Sequence, residues 1–316
     1  MPKIAILDDY QNVALSYGDW QNLPASCELT VFNDHQKYGD ALIQRLQPFD
    51  ILCIMRERTP FPRTLLAELP NLKLLITSGM RNASIDVAAA HELGIKVCGT
   101  KSPGYAAPEL ALGLILALAR GLLRETDSFR GGGWQVGLGR DLNGSTLGIL
   151  GLGRLGSKVA GYGKAFGMHV IAWSQNLTDE RAKEFDVVRV SKEALFSQSD
   201  FLTIHLKLGE RSLGLVDAQA LGLMKPSAYL INTARGPIVD QDALIEALEN
   251  KTIAGAAIDV YDEEPLPADH PLRHTPNLIA TPHIGYVTEQ TYQVFYTGMI
   301  EILQSYLAGD LINELA

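Results

Sequence analysis

Short apolar runs alternate with helical patterns through the first hundred residues. Five runs rich in Ile, Leu and Val predict strands, at 3–9, 29–34, 50–55, 72–78 and 95–100. Segments such as DALIQRL (40–46) and SIDVAAAHEL (84–93) between them predict helices. Strands that alternate with helices form right-handed crossovers, so this region predicts a parallel sheet covered on both faces.

A second alternating series begins after residue 144. Its apolar runs lie at 145–151, 169–174, 201–206, 228–234, 253–260 and 278–283. Helical patterns cover 154–166, 191–198, 217–224 and 241–250, and a closing helix is predicted from Glu289 to about Leu307. The sequence therefore predicts an α/β protein with two doubly wound parallel-sheet domains and a boundary near residue 100.

A strongly apolar segment, ELALGLILALARGLL (109–123), joins the two series. Pro108 suits the first turn of a helix there, because proline lacks only an N–H that would be unpaired anyway. A helix that is apolar on most faces must be covered on several sides. It is therefore either a core helix or a subunit interface, and the hydrophobic pattern does not distinguish these two interpretations. The glycine-rich RGGGWQVGLGR (130–140) predicts a loop.

Charge and cysteine content narrow the class of protein. The 27 Lys and Arg residues against 36 Asp and Glu give a formal charge of −9, which argues against a nucleic acid or an anionic membrane as partner. The longest apolar run, 110–119, is too short to cross a bilayer, and the N-terminus has no signal-peptide pattern. Three widely spaced cysteines in apolar runs indicate core thiols without a metal site, so we expect a cytoplasmic protein.

The stretch TLGILGLGRLGSKVA contains a glycine turn of the G-x-G-x-x-G type between a predicted strand and a predicted helix. Gly151 allows the tight turn, Gly153 lets the backbone approach a pyrophosphate, and Gly156 packs the helix on the strand. The helix N-terminus offers N–H groups to the phosphates. The motif predicts a dinucleotide site, with Arg154 and Leu155 in the same turn.

The next predicted strand ends in AWSQN, where an NAD site usually carries an acid for the ribose. Ser174 and Gln175 stand there instead. No carboxylate is present to repel a 2′-phosphate, and no arginine immediately follows to bind one. Both NAD and NADP are therefore compatible with the sequence, and the missing acid favours NADP; alternatively, Ser174 only begins a turn.

Three charged groups follow predicted strands of the second series. Arg235 follows AYLINTA, Asp259 ends IAGAAID with Glu263 and Glu264 beyond it, and His283 follows LIATP. Open parallel sheets bind ligands at this end of their strands. Each group could instead be a solvated loop charge or a core imidazole. Together they suit the oxidation of a 2-hydroxy acid, in which arginine binds the carboxylate, histidine moves the hydroxyl proton and a carboxylate orients the ring.

Three motifs carry a resemblance along nearly the whole chain: GLGRLG (151–156), INTARGPIVDQDALIEALENKTIAGAAIDVYDEEPLPADHPL (231–272) and TPHIG (281–285). They resemble the D-isomer-specific 2-hydroxyacid dehydrogenases, the family of phosphoglycerate dehydrogenase, glyoxylate and hydroxypyruvate reductases, and formate dehydrogenase. The resemblance implies that Arg235 binds the substrate carboxylate and polarises the carbonyl. It implies that Glu264 pairs with His283, the acid/base, and that Asp259 holds the nicotinamide carboxamide.

The resemblance also implies a layout. A discontinuous, flavodoxin-like substrate domain would comprise residues 1–99 and 286–316, and a Rossmann cofactor domain residues 100–285. Family members are usually homodimers that meet through the long helix, here about 107–123. Thr233 and His205 would line the cofactor, although His205-Leu206-Lys207 replaces the family's usual His-x-Pro.

The substrate loop departs from the family pattern as well. It reads TSGMRNASID (77–86), with Met80 and Arg81 where small residues are common, and Ser78, Gly79, Met80 and Arg81 are the predicted substrate-binding residues of this loop. Arg56 and Arg58 also follow a strand, and with Arg81 they support the hypothesis of a substrate that carries a second anionic group. The alternative is that they are solvated loop charges.

The sequence thus predicts an NAD(P)-dependent D-2-hydroxyacid dehydrogenase, in practice a 2-keto acid reductase, that acts on a small molecule. It leaves glyoxylate, hydroxypyruvate, phenylpyruvate-like acids and 3-phosphohydroxypyruvate open as substrates. The alternative on the same fold is a corepressor-like protein that senses a dinucleotide.

Overall fold

The computed structural model describes all 316 residues. Its twelve strands are β1 Lys3–Ile6, β2 Glu28–Val31, β3 Ile51–Ile54, β4 Leu74–Thr77, β5 Lys96–Gly99, β6 Thr146–Leu150, β7 His169–Trp173, β8 Val188–Arg189, β9 Phe201–Ile204, β10 Tyr229–Asn232, β11 Gly255–Ile258 and β12 Leu278–Ala280. Its eleven α-helices are α1 Asp40–Leu46, α2 Arg63–Leu66, α3 Val87–Glu92, α4 Ala106–Arg120, α5 Leu122–Arg130, α6 Gly156–Ala165, α7 Asp179–Glu184, α8 Lys192–Gln198, α9 Ala218–Leu223, α10 Gln241–Glu249 and α11 Glu289–Ala308.

The chain divides into two compact units. The first unit comprises Met1–Pro103 and Val287–Ala316, and the second unit comprises Gly104–Tyr286. The sequence had placed these divisions at 99/100 and 285/286. The substrate-binding and dinucleotide-binding roles given to the two segments stay predictions.

The first unit is built on a five-stranded parallel sheet with the order β2-β1-β3-β4-β5. This is the flavodoxin-like order, in which the connection reverses direction between β1 and β3. Strands β3 and β4 are buried along their whole length, as expected of strands covered on both faces. Helix α11 returns to this unit and buries large side chains, among them Phe295 and Tyr296.

The second unit is built on a seven-stranded parallel sheet with the order β12-β11-β10-β9-β6-β7-β8. Strand β6 lies between β9 and β7, so the connection reverses at β6, which leads into the glycine turn. In the register of the neighbouring strands, Asn232 lies opposite Ile258, and Ile258 opposite Ala280. The predicted α/β class with two doubly wound parallel sheets is confirmed.

The apolar segment 107–123 was predicted as one helix, and this was wrong. Helix α4 ends at Arg120, because Gly121 adopts the left-handed conformation with φ of 60° and its N–H caps the preceding turn. Helix α4 contributes six buried residues to the second unit, whereas α5 contributes none. Three other short elements, α2, α7 and β8, were not predicted, since two to six residues give too weak a periodic signal.

No single helix is both long enough and apolar enough to cross a membrane. Helices α4 and α5 would together meet the requirements of length and composition, but they are bent by 62° at their junction. The three cysteines are free, and burial raises the pKa of Cys53 and Cys98 to about 12.

Candidate active site

The glycine turn between β6 and α6 has two glycines that the fold itself requires. Gly151 has a φ of 107°, and a Cβ added there would lie 2.9 Å from the carbonyl carbon and oxygen of His205. A Cβ on Gly156 would lie 2.1 Å from the carbonyl oxygen of Gly151. Any larger residue would push the turn and the helix apart, because backbone atoms cannot move aside as flexible side chains do.

Gly153 is different, because nothing in the protein requires a glycine there. It is exposed, its φ is outside the left-handed region, and a Cβ would meet no heavy atom within 4 Å. The open space over the turn is where backbone approaches a pyrophosphate in dinucleotide-binding folds. The residues present therefore fit a dinucleotide.

The remaining predicted cofactor residues also lie in the second unit. Arg154 is exposed, and its guanidinium is packed against Gly104, where a Cβ would lie 2.7 Å from Nη1. Leu155 is half-buried at the start of α6. Ser174 follows β7, and its carbonyl accepts a hydrogen bond of 3.0 Å from Leu177 N–H, so it does begin a turn. The hydroxyl of Thr233 is buried without a hydrogen-bond partner, which suits a group directed towards a ligand.

His205 lies beside the glycine turn, at the end of β9. Its Nε2 is 3.0 Å from the hydroxyl of Thr203, and burial lowers the pKa of His205 to about 4. The ring is therefore neutral near pH 7, and it differs in this respect from a histidine that must exchange protons.

Arg235, Asp259 and His283 follow three neighbouring strands at the same edge of the sheet. They come three, one and three residues after β10, β11 and β12, respectively. Strands in a sheet are about 4.8 Å apart, so the strands that lead to Arg235 and His283 are separated by roughly 10 Å. The strand order thus brings a cation and a base to one edge of the sheet, two strands apart.

His283 and Glu264 form a close pair. His283 Nδ1 lies 2.5 Å from Glu264 Oε2, and the other carboxylate oxygen accepts a hydrogen bond of 2.9 Å from the N–H of Tyr261. The backbone of His283 is left-handed, with φ of 52°, a conformation that is uncommon for a residue with a side chain. The ring of Tyr286 packs edge-on at 5.4 Å. The ring and the carboxylate are thus each held by a second contact.

Asp259 is fully buried and supports the turn that carries His283. Its Oδ1 accepts hydrogen bonds from the Thr281 hydroxyl at 2.6 Å and from Ile284 N–H at 2.8 Å, and its Oδ2 accepts one from Gly285 N–H at 2.7 Å. Burial raises the pKa of Asp259 above its ordinary value, although these hydrogen bonds oppose the shift. Its predicted contact with a nicotinamide stays a prediction.

The turn that carries Arg235 packs against the turn that carries Glu264. A Cβ on Gly236 would lie 2.1 Å from the carbonyl carbon of Tyr261, so backbone meets backbone there. Arg235 is half-buried, and its Nη1 donates a hydrogen bond of 2.7 Å to the carbonyl of Ala234. The side chain of Asn232 donates to the carbonyl of Arg235 at 2.9 Å. The predicted arginine and carboxylate are therefore on neighbouring, mutually supported turns.

The predicted substrate residues of the first unit also come together. The N–H of Arg56 donates to the Ser78 hydroxyl at 2.8 Å, and Arg56 Nη1 donates to the Ser78 carbonyl at 3.1 Å. A Cβ on Gly79 would lie 2.1 Å from Arg56 Nη1, so the guanidinium lies over the glycine. Met80 and Arg81 are exposed beyond it.

Arg58, in contrast, is used inside the first unit. Its guanidinium donates to the carbonyl of Asp8 at 2.5 Å and to the hydroxyl of Tyr292 at 3.1 Å, and it lies over the ring of Tyr10 at 4.2 Å. These contacts give it a packing role.

Arg211 was not among the site residues predicted from the sequence. It lies in the loop after β9, and its Nη1 is 3.5 Å from the side-chain oxygen of Asn176, next to Ser174 and Gln175. The contact could not be predicted because Arg211 is far from β7 in sequence. The two loops come together only through the strand order β9-β6-β7 of the folded sheet.

Comparison with known proteins places the chain in a family. Residues 112–285 match the NAD binding domain of the D-isomer specific 2-hydroxyacid dehydrogenases. The chain is 41% identical over 239 residues to a glyoxylate reductase of Aeropyrum pernix, a match that spans 72% of this chain and 71% of that protein. It is 35% identical over 280 residues to a D-3-phosphoglycerate dehydrogenase of Methanocaldococcus jannaschii, spanning 87% of this chain but 53% of that longer protein.

Solved structures agree with this placement. The phosphoglycerate oxidoreductase from Vibrio cholerae o395 superposes with a TM-score of 0.93 at 38% identity, covering 98% of this chain and all of that one. The protein belongs to the D-isomer specific 2-hydroxyacid dehydrogenase family, a group of oxidoreductases with a Rossmann-type domain for a nicotinamide dinucleotide.

Proposed function

We propose that this protein is an NAD(P)-dependent D-2-hydroxyacid dehydrogenase that works as a 2-keto acid reductase. The observation that carries the proposal is the 2.5 Å pair of His283 and Glu264 at the sheet edge that also bears Arg235. A cation, an oriented imidazole and a dinucleotide turn in one unit are the parts that this reaction requires.

The dinucleotide, when bound, supplies the hydride. Gly153, Arg154 and Leu155 would hold its pyrophosphate, Ser174 and Gln175 its ribose, and Thr233 and Asp259 its nicotinamide end. His205, neutral beside Gly151, would keep the turn in place.

The protein's own groups would handle the substrate. Arg235 binds the carboxylate, because a planar guanidinium matches two carboxylate oxygens, and its charge polarises the neighbouring carbonyl. Glu264 accepts a hydrogen bond from Nδ1–H of His283, which leaves Nε2 to carry the proton that the carbonyl oxygen receives during reduction. The carboxylate also stabilises the imidazolium before that transfer, as in a hydrolase triad.

An assay of the unmodified protein tests this function. We would follow the loss of nicotinamide absorbance for a panel of 2-keto acids, with NADH and NADPH in parallel, together with the stereochemistry of the product. We expect reduction to the D-hydroxy acid. Dinucleotide binding without turnover of any acid would contradict the proposal and favour a dinucleotide-sensing binding protein.

The preferred substrate carries a second anionic group. The guanidinium of Arg56 is held over Gly79 by the Ser78 carbonyl, and Arg81 lies exposed two residues beyond Gly79. Although Arg56 Nε also lies 3.6 Å from Glu57, two guanidinium groups on neighbouring loops suit a phosphate or a second carboxylate. We expect Arg56→Ala and Arg81→Ala to lower kcat/KM more for a phosphorylated keto acid than for glyoxylate. If neither variant changed the ratio of kcat/KM for the phosphorylated keto acid to kcat/KM for glyoxylate, this part of the proposal would be refuted.

We also propose that the protein forms a homodimer. The family resemblance placed the interface on the segment 107–123, but the most exposed apolar side chains lie on α5 and the loop that follows it, so we place the interface there. Phe129, Trp134 and Leu138 are 66%, 73% and 96% exposed, although hydrogen bonds fold this segment back on itself: the Ser128 hydroxyl donates to the Trp134 carbonyl, and Val136 N–H donates to Glu125. An ordered, exposed apolar surface is typical of an interface. Sedimentation should give a dimer that Leu138→Asp converts to monomers; a monomeric unmodified protein would refute it.

A further inference from the structure

The corner that follows β7 is neutral and polar. Ser174, Gln175 and Asn176 can each donate a hydrogen bond, and none of them carries a negative charge. In folds of this kind, the residues at this position face the adenosine ribose. The corner therefore lacks the carboxylate that would bind the two ribose hydroxyls of NAD and repel a phosphate.

A positive charge reaches this corner from a different loop. Arg211 lies in the loop after β9, and its Nη1 is 3.5 Å from the side-chain oxygen of Asn176. Strands β9 and β7 flank β6, so both loops lie at the same end of the sheet as the glycine turn.

The loop that carries Arg211 is held in a compact turn. The hydroxyl of Ser212, which is buried, donates to the carbonyl of Lys207 at 2.6 Å and accepts from Gly209 N–H at 3.0 Å. The N–H of Leu213 also bonds the carbonyl of Gly209 at 2.9 Å. The backbone that carries Arg211 is therefore already ordered before an anion binds.

Arg189, the last residue of the neighbouring strand β8, is already paired. Arg189 Nη1 lies 3.3 Å from the carboxylate of Asp179, so that pair is close to neutral as a whole. Arg211 contacts only the amide oxygen of Asn176, a neutral acceptor at the long distance of 3.5 Å, which a charged phosphate would readily replace.

We propose that Arg211 binds the 2′-phosphate of NADP(H), together with the hydrogen-bond donors of residues 174–176, and makes this protein prefer NADP(H) to NAD(H). The inference rests on the dinucleotide binding proposed above and adds a specificity-determining residue to it. NAD(H) has a hydroxyl at the 2′ position and would gain nothing from the guanidinium charge.

Calorimetry with two fragments tests the inference without catalysis. The probes are 2′,5′-ADP, which carries the phosphate, and 5′-AMP, which lacks it. We expect the unmodified protein to bind 2′,5′-ADP at least about tenfold more tightly. In Arg211→Ala that advantage should disappear, while affinity for 5′-AMP stays the same.

Two variants complete the design. Arg181→Ala removes an exposed arginine of α7 that pairs with Glu184, so it is a control for loss of charge and should keep the preference. Ser174→Asp supplies the missing ribose acid and should reverse the preference.

The outcomes separate the two proposals. Equal binding of both probes, or a preference that survives in Arg211→Ala, overturns the role of Arg211 and leaves the proposed function standing. Failure of the unmodified protein to bind either probe, NADH or NADPH overturns both.

Discussion

His283 Nδ1 lies 2.5 Å from Glu264 Oε2, although the two residues are on different loops of the second unit. The contact determines which ring nitrogen faces outward, because a carboxylate at Nδ1 keeps the proton there and leaves Nε2 to a substrate. The Tyr261 N–H holds the second oxygen of the same carboxylate, so the acid cannot turn away. The pair therefore has one orientation, which is what a proton donor needs.

Replacement of His283 by asparagine should remove the acid/base. Asparagine keeps a donor for Glu264 but has no titrating nitrogen, so we expect kcat to fall by about 10²–10⁴. Affinity for the dinucleotide, measured by fluorescence, should stay within about twofold of the unmodified protein. Near-normal turnover of His283→Asn would exclude the ring from the mechanism.

Replacement of Arg235 should damage substrate binding most. Arg235→Ala removes both the charge and the planar fork, and we expect kcat/KM for the keto acid to fall by about 10²-fold or more, with a large rise in KM. Arg235→Lys keeps the charge without the planar fork, so its kcat/KM should lie between that of Arg235→Ala and that of the unmodified protein. Dinucleotide affinity is the control, and an unchanged KM in Arg235→Ala would contradict the assignment.

Much of this site could be predicted, because its residues follow strands. Arg235, Asp259 and His283 each lie within three residues of a strand end, and parallel strands bring such positions to one edge. The choice of Glu264 over Glu263 came only from family resemblance, since both lie in one loop and periodicity does not distinguish them. The structure adds the contacts that orient Glu264, which have no signature in the sequence.

What could not be predicted depends on distances across the fold. The break at Gly121 was missed because glycine also occurs inside α4, at Gly113, where it has no left-handed φ. The contact of Arg211 with Asn176 joins loops 35 residues apart in sequence, and only the strand order explains it. Short elements such as β8 are formed by pairing with a neighbour, which a local pattern does not record.

His205 should make the protein less stable in acid. Its pKa is about 4 in the folded protein and about 6.5 when unfolded, so the unfolded chain binds more protons between these values. The stabilisation is complete above pH 6.5 and is lost as the pH falls towards 4. The full pKa shift corresponds to roughly 3 kcal/mol in the free energy of unfolding. Because the ring keeps some exposure, we expect this free energy to fall by about 1–2 kcal/mol.

The variant His205→Gln isolates this contribution from that of the carboxylates. Glutamine can keep a hydrogen bond to the Thr203 hydroxyl but does not titrate in this range. The difference in unfolding free energy between pH 7 and pH 4 should therefore be smaller for the variant, as measured by urea denaturation. Identical pH dependence of the two proteins would show that the buried ring does not resist protonation.

A substitution at Gly153 should affect dinucleotide binding without affecting folding. A Cβ there meets no heavy atom within 4 Å, so Gly153→Ala should leave the unfolding midpoint unchanged or slightly higher, since alanine restricts the unfolded chain. The same methyl group would stand where the backbone must approach the pyrophosphate, and we expect dinucleotide affinity to fall by about tenfold or more.

Two other glycines provide the controls for that variant. Gly161 lies within α6, and a Cβ there also meets nothing within 4 Å, so Gly161→Ala should stabilise the helix by up to about 1 kcal/mol and leave affinity unchanged. Gly156→Ala would bring a methyl group to 2.1 Å from the Gly151 carbonyl and should lower stability and affinity together. If Gly153→Ala bound NADH and NADPH normally, the pyrophosphate would not pass over this turn. A loss of affinity without a loss of stability at Gly153 alone can come only from the ligand, because the protein has no atom there for the new methyl group to touch.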